Sequence, residues 1–214
     1  MCIRDRYFPD VGGTYFLPRL GMDIGQWLGL TGARLDAGQT CDVGVANAYI
    51  PTDQQGAFIK ALGKAKLDGS DSAVANVMMN FVKTPPASDP IPEAVKAFGA
   101  QTVPAILKQL DKDGSEWAQK QAKNIRRKSP LAMSVTFEAL RRGAKMTFKE
   151  VMTQELDISL GFLKTQDFYE GIRAQLIDKD RNPKWSHKSV SDITEVQVQR
   201  VFRKTAKPPQ GFLS

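Results

Sequence analysis

One histidine, His187, and two cysteines, Cys2 and Cys41, leave this 214-residue chain with little material for several kinds of chemistry. A Ser-His-Asp relay needs a histidine beside its nucleophile, and a histidine-based zinc site needs more than one. His187 stands in a polar stretch, Trp185-Ser186-His187-Lys188-Ser189, and reads as solvated surface. The cysteines form no C-x-x-C pair and cannot build a disulfide framework, so Cys41 reads as a small buried hydrophobe. No apolar run approaches the roughly 18 residues of a membrane-crossing helix. Residues 1–6 hold nothing like the apolar centre of a signal peptide.

Negative charge is also in short supply. Lys and Arg number 30 against 23 Asp and Glu, a net charge of +7. Cations cluster at Lys120, Lys123, Arg126, Arg127 and Lys128, and again at Arg141, Arg142 and Lys145. Such runs could track phosphates on a nucleic acid. No nucleic-acid motif or interleaved aromatic platform accompanies them, so they read as solvated helix faces. The same excess steers polyanionic small molecules. Neither a nucleic acid nor a membrane is therefore an expected partner.

What is present suits a globular core: 42% hydrophobic and 25% charged residues over a length of one domain or two. Spacing and stop signals predict helices over 13–30, 36–40 (capped by Asp36), 53–66, 72–82, 92–98, 102–112 and 115–128. Ser129 is placed to cap a further helix with Pro130 at its first position, running to Arg142-Gly143. Thr147-Phe148-Lys149-Glu150 is a capping box opening the longest helix. Helices over 168–177 and 192–204 follow. Val45–Ile50 is the one strand candidate, and the four prolines of 84–92 mark an extended linker.

The densest local signal is Tyr7-Phe8-Pro9-Asp10-Val11-Gly12-Gly13-Thr14-Tyr15-Phe16-Leu17-Pro18-Arg19-Leu20. Pro9 fixes its own φ and biases Phe8 to an extended form, and the paired glycines permit a tight turn. Asp10 is thus either an N-cap for the helix that follows or a charged group aimed by a stiff turn.

This stretch, with Leu30-Thr31-Gly32-Ala33-Arg34-Leu35 and Gly44-Val45-Ala46-Asn47, resembles the crotonase (enoyl-CoA hydratase/isomerase) superfamily. Lys128-Ser129-Pro130-Leu131-Ala132-Met133-Ser134 is a second similar block. A third is Asp167-Phe168-Tyr169-Glu170-Gly171-Ile172-Arg173-Ala174, continued by Leu176–Trp185. The match runs in order from Tyr7 to about Phe202 and most resembles the 3-hydroxyisobutyryl-CoA hydrolase branch.

The resemblance implies a fold class that is mainly α as present: the C-terminal helical portion of the α/β crotonase (ClpP/crotonase-like) fold. The β-spiral half has no counterpart here. Residues 1–6 read as a foreign leader, 7–52 as the end of the core and 53–214 as the C-terminal helical region. The half without counterpart supplies the family's two oxyanion-hole N–H groups and a glutamate ahead of the turn. A chain without them is expected to show no turnover and to expose apolar patches.

The implied activity is thioester hydrolysis in valine breakdown, with Asp10 as the catalytic carboxylate. Related hydratases usually carry glycine at that position, which favours hydrolysis. Thr14 leans the other way, because it matches the hydratase Gly-Gly-Thr. Lys179 and Lys184 are the candidate contacts to coenzyme A, against a local salt-bridge pattern among Asp178, Lys179, Asp180 and Arg181. Trp185 reads as a packing anchor. The resemblance implies an acyl-CoA substrate, no metal, no cofactor beyond the coenzyme A of the substrate, and association into a homo-oligomer. It places the protein in the cytoplasm of a bacterium or the mitochondrion of a eukaryote. A hydratase or isomerase of the same superfamily is the alternative, and a non-enzymatic phosphate-binding helical module a third reading.

Overall fold

The computed structural model describes residues 7–66 and 68–204. Cys2 and the proposed leader lie outside them. The chain forms two compact units, one from residues up to Arg34 together with those from Pro92 onward, the other Leu35–Ile91.

The first unit begins with α1 (Gly13–Phe16), a 3₁₀ turn (Leu17–Leu20) and α2 (Met22–Thr31). The single helix expected over 13–30 is broken, because Pro18 sits in the 3₁₀ turn and Gly21 leaves helical space at φ 101°. Proline cannot donate the N–H that a continuous helix needs there.

The second unit holds α3 (Ala37–Asp42), α4 (Thr52–Lys64) and α5 (Asp71–Met78). Asp36 caps α3 in a full capping box with Gln39. The expected strand over 45–50 is not formed. Among the described residues there is only an isolated bridge, Tyr49 to Lys83. The amides of Val45 and Ala46 both donate to the Thr40 carbonyl, which uses them in a turn after α3. A lone strand without a ladder has no source of stability. Cys41 is half-buried, not buried.

The rest of the first unit comprises a 3₁₀ helix (Glu93–Gly99), α6 (Val103–Asp113), α7 (Glu116–Arg126), α8 (Pro130–Gly143) and α9 (Phe148–Phe162). Next come α10 (Gln166–Ile172), which ends in a π turn (Arg173–Ile177), a 3₁₀ turn (Val190–Asp192) and α11 (Glu195–Val201). Ser129 and Thr147 cap α8 and α9 as their sequences require. The expected helix over 192–204 starts only at Glu195, because Thr194 and Gln197 form a capping box of their own.

The core is built around α8 and α9, with Met133, Val135, Leu140, Ile158 and Phe162 essentially sealed from solvent. α8 approaches α1 closely. A Cβ on Gly143 would stand 1.9 Å from the Thr14 carbonyl oxygen, so only glycine permits this crossing. Large apolar side chains remain exposed at Val11, Tyr169, Leu176 and Ile177. None of the described helices is long and apolar enough to cross a membrane.

Candidate functional site

The conspicuous turn is anchored from one side and clamped from another. Phe8 is fully buried and stacks on Phe162, with ring centroids 6.0 Å apart and planes 8° from parallel. Tyr7 adds contacts to Phe162 at 5.1 Å and Phe168 at 5.7 Å. Burial raises the Tyr7 phenol above its ordinary range; the neighbouring charges of Asp10 and Glu155 push the same way, against a hydrogen bond with Ser159.

Gly13 N–H then donates to the Asp10 carbonyl at 2.9 Å and closes a four-residue turn. Its central residues are both left-handed: Val11 at φ 51° and Gly12 at φ 87°, ψ 3°. These angles define a type I′ turn, in which glycine is at ease and a β-branched residue is not. Val11 is strained and 86% exposed. Strain of this kind persists where its surroundings over-determine it, and it clusters at functional sites.

The surroundings here are Glu155. Its carboxylate, 3% exposed, accepts from Gly12 N–H at 2.8 Å, Thr14 N–H at 3.0 Å and the Thr14 hydroxyl at 2.7 Å. Glu155 lies seven residues before Phe162 on α9, so one helix face supplies both the clamp and the apolar anchor. Arg19 completes the frame. It stacks over Tyr15 at 3.5 Å and donates to the Gly143 and Met146 carbonyls at 3.1 and 2.9 Å.

Asp10 is half-buried at the start of this turn. It is not the N-cap: Gly12 holds that position, with no side-chain cap. The cap reading fails because a carboxylate far along the chain takes the amides that a local cap would use. No described donor hydrogen-bonds to the Asp10 carboxylate.

Lys179 and Lys184 lie elsewhere in the same unit, on the segment after the π turn. The local salt-bridge pattern expected among residues 178–181 is not formed. Arg173 instead takes the acids: Glu170 through two bonds at 2.8 and 2.9 Å, Asp178 at 2.6 Å and Asp180 at 2.7 Å. It also donates to the Asn182 carbonyl at 3.2 Å. Lys184 N–H donates to Glu170 at 2.6 Å. Lys179 and Arg181 both adopt left-handed backbone at φ 56°. No described carboxylate forms an ion pair with Lys179, Arg181 or Lys184.

The Arg173 guanidinium, followed by the Lys184 amide, pulls Glu170 down to about 2. Asp180 is lowered by the Asn182 amide and Arg173, and its three carboxylate partners raise Arg173.

Neither Glu155 nor Arg173 stands out in the sequence as a candidate. For Glu155 a signal exists: it shares an apolar face with Val151, Ile158 and Phe162, where an unpartnered charge would be costly. For Arg173 only the Glu170 spacing is visible.

His187 corrects the sequence reading, being half-buried, with Nε2 2.8 Å from Gln197 Nε2. Gln197 Oε1 already accepts from Thr194, so its amide donates and the ring nitrogen accepts. Trp185 Nε1 donates to the Arg127 carbonyl at 3.2 Å, in keeping with an anchor. The basic runs are partly spent in structure: Arg126 pairs with Asp111, Arg142 with Glu138, and buried Lys128 donates to the Leu30 carbonyl. Among the described residues no three His, Cys, Asp or Glu converge as a metal site.

Comparison with known proteins agrees with the ordered blocks. A family model described as enoyl-CoA hydratase/isomerase matches residues 6–202. The chain is 37% identical over 206 residues to a mitochondrial 3-hydroxyisobutyryl-CoA hydrolase of Danio rerio, covering 91% of this chain and 53% of that protein. It is 35% identical over 203 residues to the protein of that name from Xenopus laevis, with 91% and 52% covered. The chain thus spans about half the length of the curated relatives it matches.

Among solved structures, a carnitinyl-CoA dehydratase from Mycobacterium thermoresistibile superposes with a TM-score of 0.81 at 32% identity, over 97% of this chain and 58% of that one. An enoyl-CoA hydratase from Rhodobacter sphaeroides 2.4.1 gives 0.76 at 30% identity, over 94% and 57%. By the sequence match across nearly its whole length, this chain belongs to the enoyl-CoA hydratase/isomerase family.

Proposed function

We propose that this chain carries the general base of an acyl-CoA thioester hydrolase acting on 3-hydroxyisobutyryl-CoA in valine breakdown. One observation carries the reading: Asp10 presents a carboxylate with no hydrogen-bond donor among the described residues, on a turn whose strained backbone is held by buried Glu155. The relatives named 3-hydroxyisobutyryl-CoA hydrolase support the substrate.

In this scheme water gives a proton to Asp10 as its oxygen attacks the thioester carbonyl carbon. The C–S bond then breaks, and the leaving thiolate takes up the proton. A positioned base of this kind contributes about 10²–10⁴ in rate. The oxyanion hole is assigned to the part of the family domain that this chain does not match. No cofactor is needed beyond the coenzyme A of the substrate. Lys179 and Lys184 are assigned to its phosphates; the grouping of Glu170, Asp178 and Asp180 on Arg173 supports this by leaving both ammonium groups without an ion-pairing carboxylate.

A dye assay for released thiol tests the proposal. The chain alone is expected to give no signal above buffer. Joined to the unmatched portion of the Danio rerio relative, it is expected to hydrolyse 3-hydroxyisobutyryl-CoA. Loss of enoyl absorbance without thiol release would replace this reading by a hydratase. Thr14 and the two solved neighbours favour that second reading.

A further inference from the structure

An aspartate two residues before a glycine amide ordinarily closes on it. Asp side chains accept from the N–H groups two and three residues on, and this habit makes them turn and cap residues. In this chain those donors are Gly12 and Gly13. Gly13 N–H is already used by the Asp10 carbonyl at 2.9 Å. Gly12 N–H is used by Glu155 Oε2 at 2.8 Å. The next amide, Thr14, and its hydroxyl go to Glu155 Oε1 at 3.0 and 2.7 Å. The Asp10 carboxylate is bonded to none of the donors of its own turn.

We infer that Glu155 is a positioning residue: by occupying the Gly12 and Thr14 donors it keeps the Asp10 carboxylate from capping its own turn and leaves it available for an external proton. The inference deepens the proposed function and rests on Asp10 being its base, but the occupancy of Gly12 N–H is a property of the chain itself.

Three features support this. Glu155 is 3% exposed, so its negative charge stands inside the protein where the hydrogen bonds from the turn are strong. Phe8, just ahead of the turn, stacks on Phe162 of α9 and ties the turn to the helix that carries Glu155. Val11 remains left-handed despite its branched side chain, which a turn free to relax toward an aspartate cap would avoid.

Glu155→Gln tests this with minimal change of shape. The glutamine oxygen can still accept from Thr14, but its –NH₂ group faces Gly12 N–H, donor against donor. Gly12 is released, and Asp10 is expected to take it. The readout is the Gly12 amide resonance of the 214-residue chain in four forms: wild type, Asp10→Asn, Glu155→Gln and the double variant. Asp10→Asn is expected to leave Gly12 unmoved in the wild-type background and to displace it in the Glu155→Gln background. Equal displacement in both backgrounds would show Asp10 already bound to Gly12 and overturn the proposal. No displacement in either would show that Asp10 does not reach the vacated donor, and would overturn it too.

Dispersed spectra with unchanged Phe8 and Phe162 resonances identify variants that keep the fold. If Glu155→Gln does not fold, Thr14→Val provides the second arm: it removes the hydroxyl bond alone, and Gly12 should then remain insensitive to Asp10→Asn. Sensitivity there would refute the proposal. Because no turnover is measured, failure of the hydrolase assignment leaves these outcomes readable.

Discussion

Two strained turns of the same unit are each held by one charged side chain, and the holders differ in medium. Glu155 reaches the Asp10–Thr14 turn from inside the core and binds backbone amides and a hydroxyl. Arg173 holds the 178–184 segment from the surface, with 31% of its side chain exposed, and binds mainly carboxylates. Both hold non-glycine residues in left-handed backbone: Val11 in the first, Lys179 and Arg181 in the second. A buried clamp has no water to replace its bonds once it is cut, whereas an exposed one exchanges its partners for solvent. The first therefore fixes geometry and carries much of the stability. The second mainly sorts charge, gathering acids on one side of a segment whose sequence alternates in sign.

The sharpest way to break this comparison is to remove both holders. Glu155→Ala removes the acceptor of two amides and a hydroxyl, of which Asp10 is expected to take only the Gly12 amide, and should cost about 3 kcal/mol through the Thr14 groups left unpaired. Chemical denaturation measures it. Arg173→Ala should lower the melting temperature far less, and 0.5 M salt should shrink its effect while leaving that of Glu155→Ala unchanged, since screening acts on exposed charges. Equal losses would mean that the media do not differ.

Next in size is Asp10→Asn in the chain joined to the unmatched portion of the Danio rerio relative, where that fusion is active. A fall in kcat of about 10²-fold with little change in KM is expected of a group acting in the transition state. Stability should stay within about 0.5 kcal/mol, because no described donor depends on that carboxylate. Unimpaired turnover would remove Asp10 from the chemistry.

Val11→Gly separates strain from clamping. Relief of the left-handed valine should stabilise the chain by up to about 1 kcal/mol, less the entropy that glycine loses on folding. A loss of stability would show that Val11 contributes packing its exposure does not reveal.

The smallest expected effect is a pH window. Glu170 falls from its ordinary value of 4.5 to about 2 in the folded chain, chiefly through Arg173. A carboxylate with a depressed folded value stabilises fully above its unfolded value and loses that contribution as pH falls through the folded one. The difference in melting temperature between wild type and Arg173→Ala should hold above about 4.5 and vanish near pH 2. Asp180 shifts in the same direction. A difference that persists at pH 2 would assign the stabilisation to packing of the Arg173 stem.

Local chemistry was legible in the sequence, and contacts across the chain were not. Thr147 and Ser129 announced their helices because a cap is complete within four residues. Pro18 could have warned of the break after α1, but it falls within an otherwise helical pattern. The strand at 45–50 failed because alternation says nothing about whether a ladder partner exists. Locally Asp10 was legible first as a cap, and its candidate role as a base came only through the family resemblance. Its local sequence could not decide, since the deciding residue, Glu155, is 143 positions from Gly12. The pairing of Asp178 and Asp180 with Arg173 goes with left-handed backbone at Lys179 and Arg181, which no side-chain pattern encodes.

The contact between Gly143 and Thr14 has a consequence for redesign. Gly143 ends a helix, where a propensity scale prefers alanine by about 1 kcal/mol. A procedure that enriches helices in strong formers would choose alanine there among its earliest substitutions. The added methyl carbon would stand 1.9 Å from the Thr14 oxygen and drive α1 away from α8. Thr14 is bonded to Glu155, so the damage would reach the turn that presents Asp10. A stabilised library built on helix preference alone would lose the candidate site through a position that touches neither the carboxylate nor its clamp.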